Sequence, residues 1–126
     1  MAQNNVMAGL AYLLQVVPVI GWLCPVVIYF IAGGDRFVKF NALQALLLEI
    51  SVVAVMAVLF VLGIVVGITV GMVNGSLAGL VGMAFAALYG LAGLGFIALW
   101  LWSMYNAFVG KTFSIPVIGP LASGWA

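Results

Sequence analysis

The chain has 126 residues, of which 68% are hydrophobic and only 4% are charged, and its formal net charge is +1. Soluble domains carry about 25% charged residues, so this composition excludes an ordinary water-exposed surface and indicates lipid as the main solvent. The low net charge argues against a nucleic-acid interface, while one cysteine and no histidine leave no internal disulfide, cysteine metal cluster or usual haem ligand.

The first predicted element is a membrane span over residues 6–32, which carry no charged side chain. This span contains Pro18, Gly21 and Pro25, and proline removes a backbone donor and clashes with the preceding turn. We therefore expect the span to be kinked or split into two short helices. A true helical hairpin here would give four membrane segments in place of three.

The second predicted element is a long helix over residues 36–72, with Asp35 at its N-cap position. At 1.5 Å per residue it would be about 55 Å long, which exceeds the ~30 Å hydrocarbon core of a bilayer. We therefore expect roughly its first ten residues to form an interfacial helix leading into span two, with Arg36 and Lys39 as interface anchors.

The third predicted span runs over residues 80–108, after an Asn-Gly turn at residues 74–76. It ends in LWLWSMYNAF, where Trp100 and Trp102 are expected to anchor the helix at the lipid–water boundary. The remaining tail contains two prolines and three glycines, a composition that predicts an interfacial loop.

The distribution of basic residues predicts the orientation of these spans. With three spans, the loop at residues 33–40 and the tail fall on one side, and they hold Arg36, Lys39 and Lys111, the only basic residues. The positive-inside rule assigns that side to the cytoplasm. The sequence thus predicts an all-α, polytopic protein of the bacterial inner membrane, with a single transmembrane domain over residues 1–126.

A row of glycines suggests close helix packing on span two. Gly63, Gly67 and Gly71 recur every fourth residue, a spacing that forms a smooth groove where another helix backbone can approach. The groove could pack against another span of this chain or against another subunit, and the sequence leaves both alternatives open.

Glu49 is the most unusual charged residue, because it lies one to two turns inside the predicted interface. An intramembrane acid is a candidate for proton or cation binding. The alternative is a structural ion pair, for which Lys111 is the expected partner, since Arg36 lies roughly 20 Å away along the same helix. No serine or cysteine has a histidine to activate it, so we expect no enzymatic activity.

Two stretches resemble a known family. The segments FVKFNALQALLL (37–48) and GKTFSIPVIG (110–119) are similar to two motifs of small bacterial membrane proteins of unknown function, related to the import channel component of the chloroplast inner-envelope translocon (Tic-type). The segment LAYLLQVVPVIGWLCPVVIYF resembles the family's proline-broken first span. Asn41 departs from the family pattern, where histidine is usual. The matching motif positions are Phe40, Ala42, Gln44, Ala45, Gly110, Lys111, Pro116 and Gly119.

Three functions follow as hypotheses. The favoured one is a small accessory or scaffold subunit that packs by its glycine faces within a larger membrane complex, because five charges offer little to line an aqueous pore. The second, which the resemblance implies, is a Tic-like translocation or permeation component. The third is a lipid- or pigment-contacting subunit of an energy-converting complex. We expect no cofactor apart from bound lipid, membrane lipids and other membrane subunits as partners, and no nucleic acid.

Overall fold

The computed structural model describes residues 2–17 and 20–126, and within these ranges it contains helices and no strands. The all-α prediction is therefore confirmed. In chain order the elements are α1 (Ala2–Leu13), a 3-10 turn (Leu14–Val16), α2 (Leu23–Ile31), α3 (Arg36–Gly71), α4 (Gly75–Phe108) and α5 (Ile118–Trp125).

The predicted first span is not one continuous helix. Its residues form α1 of 12 residues and α2 of 9 residues, and each is shorter than the roughly 20 residues that a spanning helix needs. Pro18 lies outside the described residues. Pro25 lies in the first turn of α2, where a missing N–H costs no intrahelical bond. Neither a membrane span over residues 6–32 nor its break at proline is thereby confirmed.

Polar caps fix where the two long helices begin. The Asp35 carboxylate accepts a hydrogen bond of 3.1 Å from the Val38 N–H, as an N-cap residue does. The Asn74 side-chain oxygen accepts bonds of 3.0 and 3.2 Å from the N–H groups of Ser76 and Leu77. Because Asn74 is itself the cap, α4 begins at Gly75. The turn between α3 and α4 therefore ends at Asn74, two residues earlier than the predicted turn at residues 74–76.

Helices α3 and α4 are long and apolar enough to cross a membrane, and the most apolar window of each is unburied within the chain. The prediction of a helical membrane protein is therefore confirmed in this coarser form, with two candidate spans among the described residues.

The chain divides into two compact units. Unit 1 comprises Met1–Ile50 and Ala98–Ala126, and unit 2 comprises Ser51–Ile97. The single transmembrane domain over residues 1–126 stays a prediction. Every charged side chain of the sequence belongs to unit 1: Asp35, Arg36, Lys39, Glu49 and Lys111.

Unit 2 is an antiparallel pair formed by the later part of α3 and the earlier part of α4. A Cβ atom on Gly63 would lie 3.4 Å from the Phe85 ring, and one on Gly71 would lie 3.6 Å from Ala78. Between them, a Cβ atom on Gly67 would meet no atom within 4 Å. Two of the three predicted packing glycines thus face α4, while the central one faces open space.

Unit 1 is held together by small residues that let its helices approach closely. Ala8 and Ala11 of α1, Ala42 and Ala45 of α3, and Ala107 of α4 are each 0% exposed. The Phe108 ring lies so close to Gly9 that a Cβ atom there would be 2.5 Å from it. A hydrophobic core of this kind depends on alanine and glycine because larger side chains would separate the backbones.

The tail is not the predicted interfacial loop throughout, because its last part forms α5. Ala122 of α5 is fully buried in a cluster with Phe40 and Leu43 of α3. The Tyr29 hydroxyl donates a 3.2 Å bond to the Trp125 carbonyl. These contacts fold α5 back onto α2 and α3, which explains why the end of the proline-containing tail is ordered as a helix.

Candidate functional site

The side-chain amide of Gln44 connects α3 to the extended segment before α5. Its Nε2 donates a 2.9 Å bond to the Phe113 carbonyl, and its Oε1 accepts a 3.0 Å bond from the Ile115 N–H. Gln44 is 0% exposed. A buried amide that pairs with two peptide groups of one segment fixes the path of that segment, because an unpaired partner would bear its full desolvation cost.

Two further side chains complete this buried cluster. Gln44 Nε2 also donates to the Tyr12 hydroxyl at 2.9 Å, and that hydroxyl donates to Asn41 Oδ1 at 3.3 Å. Asn41 Nδ2 donates to the Phe37 carbonyl at 2.9 Å. We call Tyr12, Asn41 and Gln44, with the two peptide partners of Gln44, the polar clamp. It ties α1, α3 and the segment before α5 together.

The motif glycines near the clamp occupy positions where a side chain would not fit. Gly110 has a φ of +79°, and a Cβ atom there would lie 2.7 Å from the Asn5 side chain. A Cβ atom on Gly119 would overlap the Ser114 side chain. Pro116 is exposed, and its carbonyl accepts a 2.8 Å bond from the Ile118 N–H. The motif residues Gln44, Gly110 and Gly119 thus shape the closing segment together.

Glu49 has a different partner from the predicted one. Its Oε2 accepts a 3.0 Å bond from Gln15 Nε2, which also donates a 2.9 Å bond to the Ala45 carbonyl. No ion pair within 4.0 Å joins Glu49 to Lys111 in the described part of the chain. The Glu49–Lys111 pair is therefore not formed. A neutral amide in the 3-10 turn after α1 satisfies the carboxylate, because this turn lies alongside α3.

The predicted interface anchors occupy different environments. Lys39 Nζ lies 5.3 Å from the centre of the Tyr29 ring, a cation–π geometry, whereas Arg36 and Lys111 are exposed. Trp102 is 54% exposed and stacks on Tyr105.

Trp100, in contrast, is partly buried. Its indole Nε1 donates a 3.0 Å bond to the Tyr12 carbonyl, so this indole serves the packing of α1 against α4.

Sequence reasoning missed Tyr12 of α1 and Gln15 of the 3-10 turn that follows it, the two side chains that bond to α3. Both lie in a segment read as a uniformly apolar span. The available signal was their spacing, since two polar-tipped side chains three residues apart share one face of a helix.

The polar clamp positions backbone, since its amide and phenol groups are engaged in hydrogen bonds. The described residues contain no group of three or more metal-ligating side chains that could hold an ion.

Comparison with known proteins gives one match. The model of the MamF/MmsF family, described as the magnetosome magnetite crystal formation protein family, matches residues 3–122. No curated protein and no solved structure matches the chain. The resemblance to the Tic-type family is thus wrong. Short motifs such as GKTFSIPVIG reflect constraints on backbone packing, and such constraints do not separate two families of small helical membrane proteins.

Proposed function

The chain belongs to the MamF/MmsF magnetosome magnetite crystal formation family, and from this premise we propose that it is a non-enzymatic accessory subunit of the magnetosome membrane. In this role it supports magnetite crystal formation by packing against other membrane subunits. The observation that carries the proposal is the family match over residues 3–122. Two apolar helices, each with its most apolar window unburied within the chain, supply the means of membrane association.

The chemistry of the side chains favours an indirect effect on the crystal. Iron is held in proteins chiefly by carboxylates, imidazoles and thiolates, and this chain has two acidic residues, no histidine and one cysteine. Those few ligands would contact a mineral surface weakly. We therefore propose that the chain acts on the composition or assembly of the membrane that surrounds the crystal.

The exposed glycine position on α3 supports the accessory role. Gly63 and Gly71 face residues of α4, whereas Gly67 faces open space. In a bilayer, close approach of helices needs small residues at the contact. We propose that another subunit packs its helix over Gly67.

The orientation follows from the antiparallel pair in unit 2. If only α3 and α4 cross the membrane, the start of α3 and the end of α4 still fall on one side. Arg36, Lys39 and Lys111 lie at those ends, so we propose that this side is cytoplasmic, in an inner membrane or one derived from it. An orientation with a third or fourth membrane segment in α1 and α2 leaves these residues on the same side.

The functional proposal is tested by deletion and complementation in a magnetosome-forming host. We expect deletion to reduce the size or number of magnetite crystals seen by electron microscopy, and the wild-type chain to restore them. Unchanged crystals after deletion would contradict the role in crystal formation.

The accessory role is tested with Gly67→Leu, which should insert and fold normally but lose its partners, because the added side chain blocks close approach. Mild-detergent purification and mass spectrometry of co-purified subunits measure this. Gly71→Leu, which meets Ala78 within the same chain, is the matched control for a change in the chain's own packing. If Gly67→Leu retains all partners and restores the crystals, α3 does not pack against another subunit at this point.

A further inference from the structure

Unit 1 contains a cleft that the clamp and the packing glycines do not use. Its volume is about 270 Å³, and its lining combines one cation, two hydroxyls and two aromatic rings: Arg36, Phe37, Phe40, Thr112, Ser123 and Ala126. The cleft lies between the first turns of α3, the segment after Gly110 and α5. All three elements belong to unit 1, which carries every charge of the chain.

The polar groups of the cleft are available to a ligand. In the described part of the chain, no hydrogen bond or ion pair engages the Arg36 guanidinium or the Thr112 hydroxyl, while the neighbouring Asp35 carboxylate caps the Val38 N–H. A guanidinium presents a planar set of donors that matches the oxygens of a phosphate. The Ser123 hydroxyl already donates to the Pro120 carbonyl at 3.0 Å, so its oxygen can accept a bond from a donor on the ligand.

The apolar part of the lining favours a lipid as the source of that phosphate. Phe40 is only 7% exposed and Phe37 is partly buried, so the two rings give the cleft an apolar wall beside the guanidinium. A hydrated inorganic phosphate gains nothing from such a wall, whereas the glycerol and upper acyl carbons of a phospholipid do. The three basic residues against two acids in unit 1 favour an anionic headgroup.

We propose that this cleft binds the headgroup of an anionic phospholipid, with Arg36 and Thr112 donating to the phosphate. Ser123 accepts from a headgroup hydroxyl, and Phe37 and Phe40 contact the glycerol and upper acyl carbons. The site assigns a role in lipid recognition to the tail of the chain, which α5 folds back against α3. It requires neither the subunit contacts nor the effect on crystals proposed above.

The test is native mass spectrometry of the full-length protein from mild detergent, titrated with phosphatidylglycerol, phosphatidylcholine or inorganic phosphate. We expect one phosphatidylglycerol to be retained per chain, with at least about tenfold weaker retention in Arg36→Gln, since the charged donor is lost. Lys39→Gln is the matched control, because it removes the same charge from the same helix outside the cleft lining, and we expect its retention to stay within about twofold of wild type.

Any of four results would overturn the proposal. Equal losses in Arg36→Gln and Lys39→Gln would mean a diffuse attraction to the bilayer surface. Equal retention of phosphatidylcholine would show that the cleft does not select an anionic headgroup. Equal retention of inorganic phosphate would show that it does not select a lipid. Thr112→Val, with helicity checked by circular dichroism, gives a second measure at a residue outside every helix, and unchanged retention there would also contradict the site.

Discussion

The buried side-chain amide of Gln44 makes three hydrogen bonds at once. It donates to a phenol and to a peptide carbonyl, and it accepts from a peptide N–H of the same segment. No apolar residue of similar size can replace these bonds, and a shorter amide would not reach both peptide groups. Hydrogen bonding therefore determines the residue type at position 44, whereas hydrophobicity determines the residue type at most positions of this chain.

Replacing Gln44 by Leu should destabilise unit 1 by about 2–4 kcal/mol, because the buried Ile115 N–H and the partly buried Phe113 carbonyl lose their partners. Helix propensity changes little, since Leu and Gln are both good helix formers. Chemical unfolding in detergent measures the free energy, and hydrogen exchange at the Ile115 amide should become faster.

Gln15→Leu provides the control at the same scale. It removes the bonds from the 3-10 turn after α1 to Ala45 and Glu49 but leaves the peptide partners of Gln44 intact. Ile115 exchange should therefore stay close to wild type in Gln15→Leu. Equal acceleration in both variants would mean that loosening α1, and not the loss of the amide, controls the segment.

At the scale of elements, α5 depends on a tight reversal of the backbone just before it. Val117 has a φ of 70° and a ψ of −50°, and the Ile118 N–H bonds to the Pro116 carbonyl at 2.8 Å. These values define a γ-turn of the rarer, strained kind, and a β-branched residue is unfavourable there. Contacts of α5 with Phe40 and Tyr29 offset this cost by holding the helix in place.

Two glycines of α5 test this packing as a matched pair. Gly119→Ala should destabilise the tail by about 1–3 kcal/mol, because the new Cβ overlaps Ser114 and the neighbouring backbone must move. Gly124→Ala meets open space and should be neutral or stabilising by up to about 1 kcal/mol, since alanine favours the helix.

Limited proteolysis of the tail and thermal unfolding in detergent measure both variants. If Gly119→Ala were as stable as Gly124→Ala, the tail would accommodate the methyl group by a cheap shift, and the close approach would not explain the glycine.

At the scale of the whole molecule, charge is divided between the two units. Unit 2 has no charged side chain, and its part of α3, residues 51–71, would be about 31 Å long. That length matches a hydrocarbon core of ~30 Å. Residues 36–50 of α3, which belong to unit 1, contain three of the charges of the chain. The part of α3 that exceeds the thickness of the hydrocarbon core is thus its charged N-terminal part, residues 36–50.

The two-span arrangement predicts opposite labelling of two positions. In a Cys24→Ser background, Lys111→Cys should react with an impermeant thiol reagent only from the cytoplasmic side. Val73→Cys, in the turn between α3 and α4 and 86% exposed in the wild type, should react only from the other side. Basic residues resist translocation, which fixes the direction. Reaction of both from the same side would show that α3 and α4 do not both cross the membrane.

The sequence alone determined the lipid-compatible, all-helical class, the N-cap at Asp35 and the long helices. Composition sets the class, and capping and helix formation depend on residues that are close in the chain. It also identified Gln44, Gly110 and Gly119 as motif positions, but it did not indicate their structural roles. Only tertiary structure decided α5, the Gln15 partner of Glu49 and the polar clamp. Each depends on residues about 30 or more positions apart, and a sequence in which most positions are apolar does not specify which apolar faces meet.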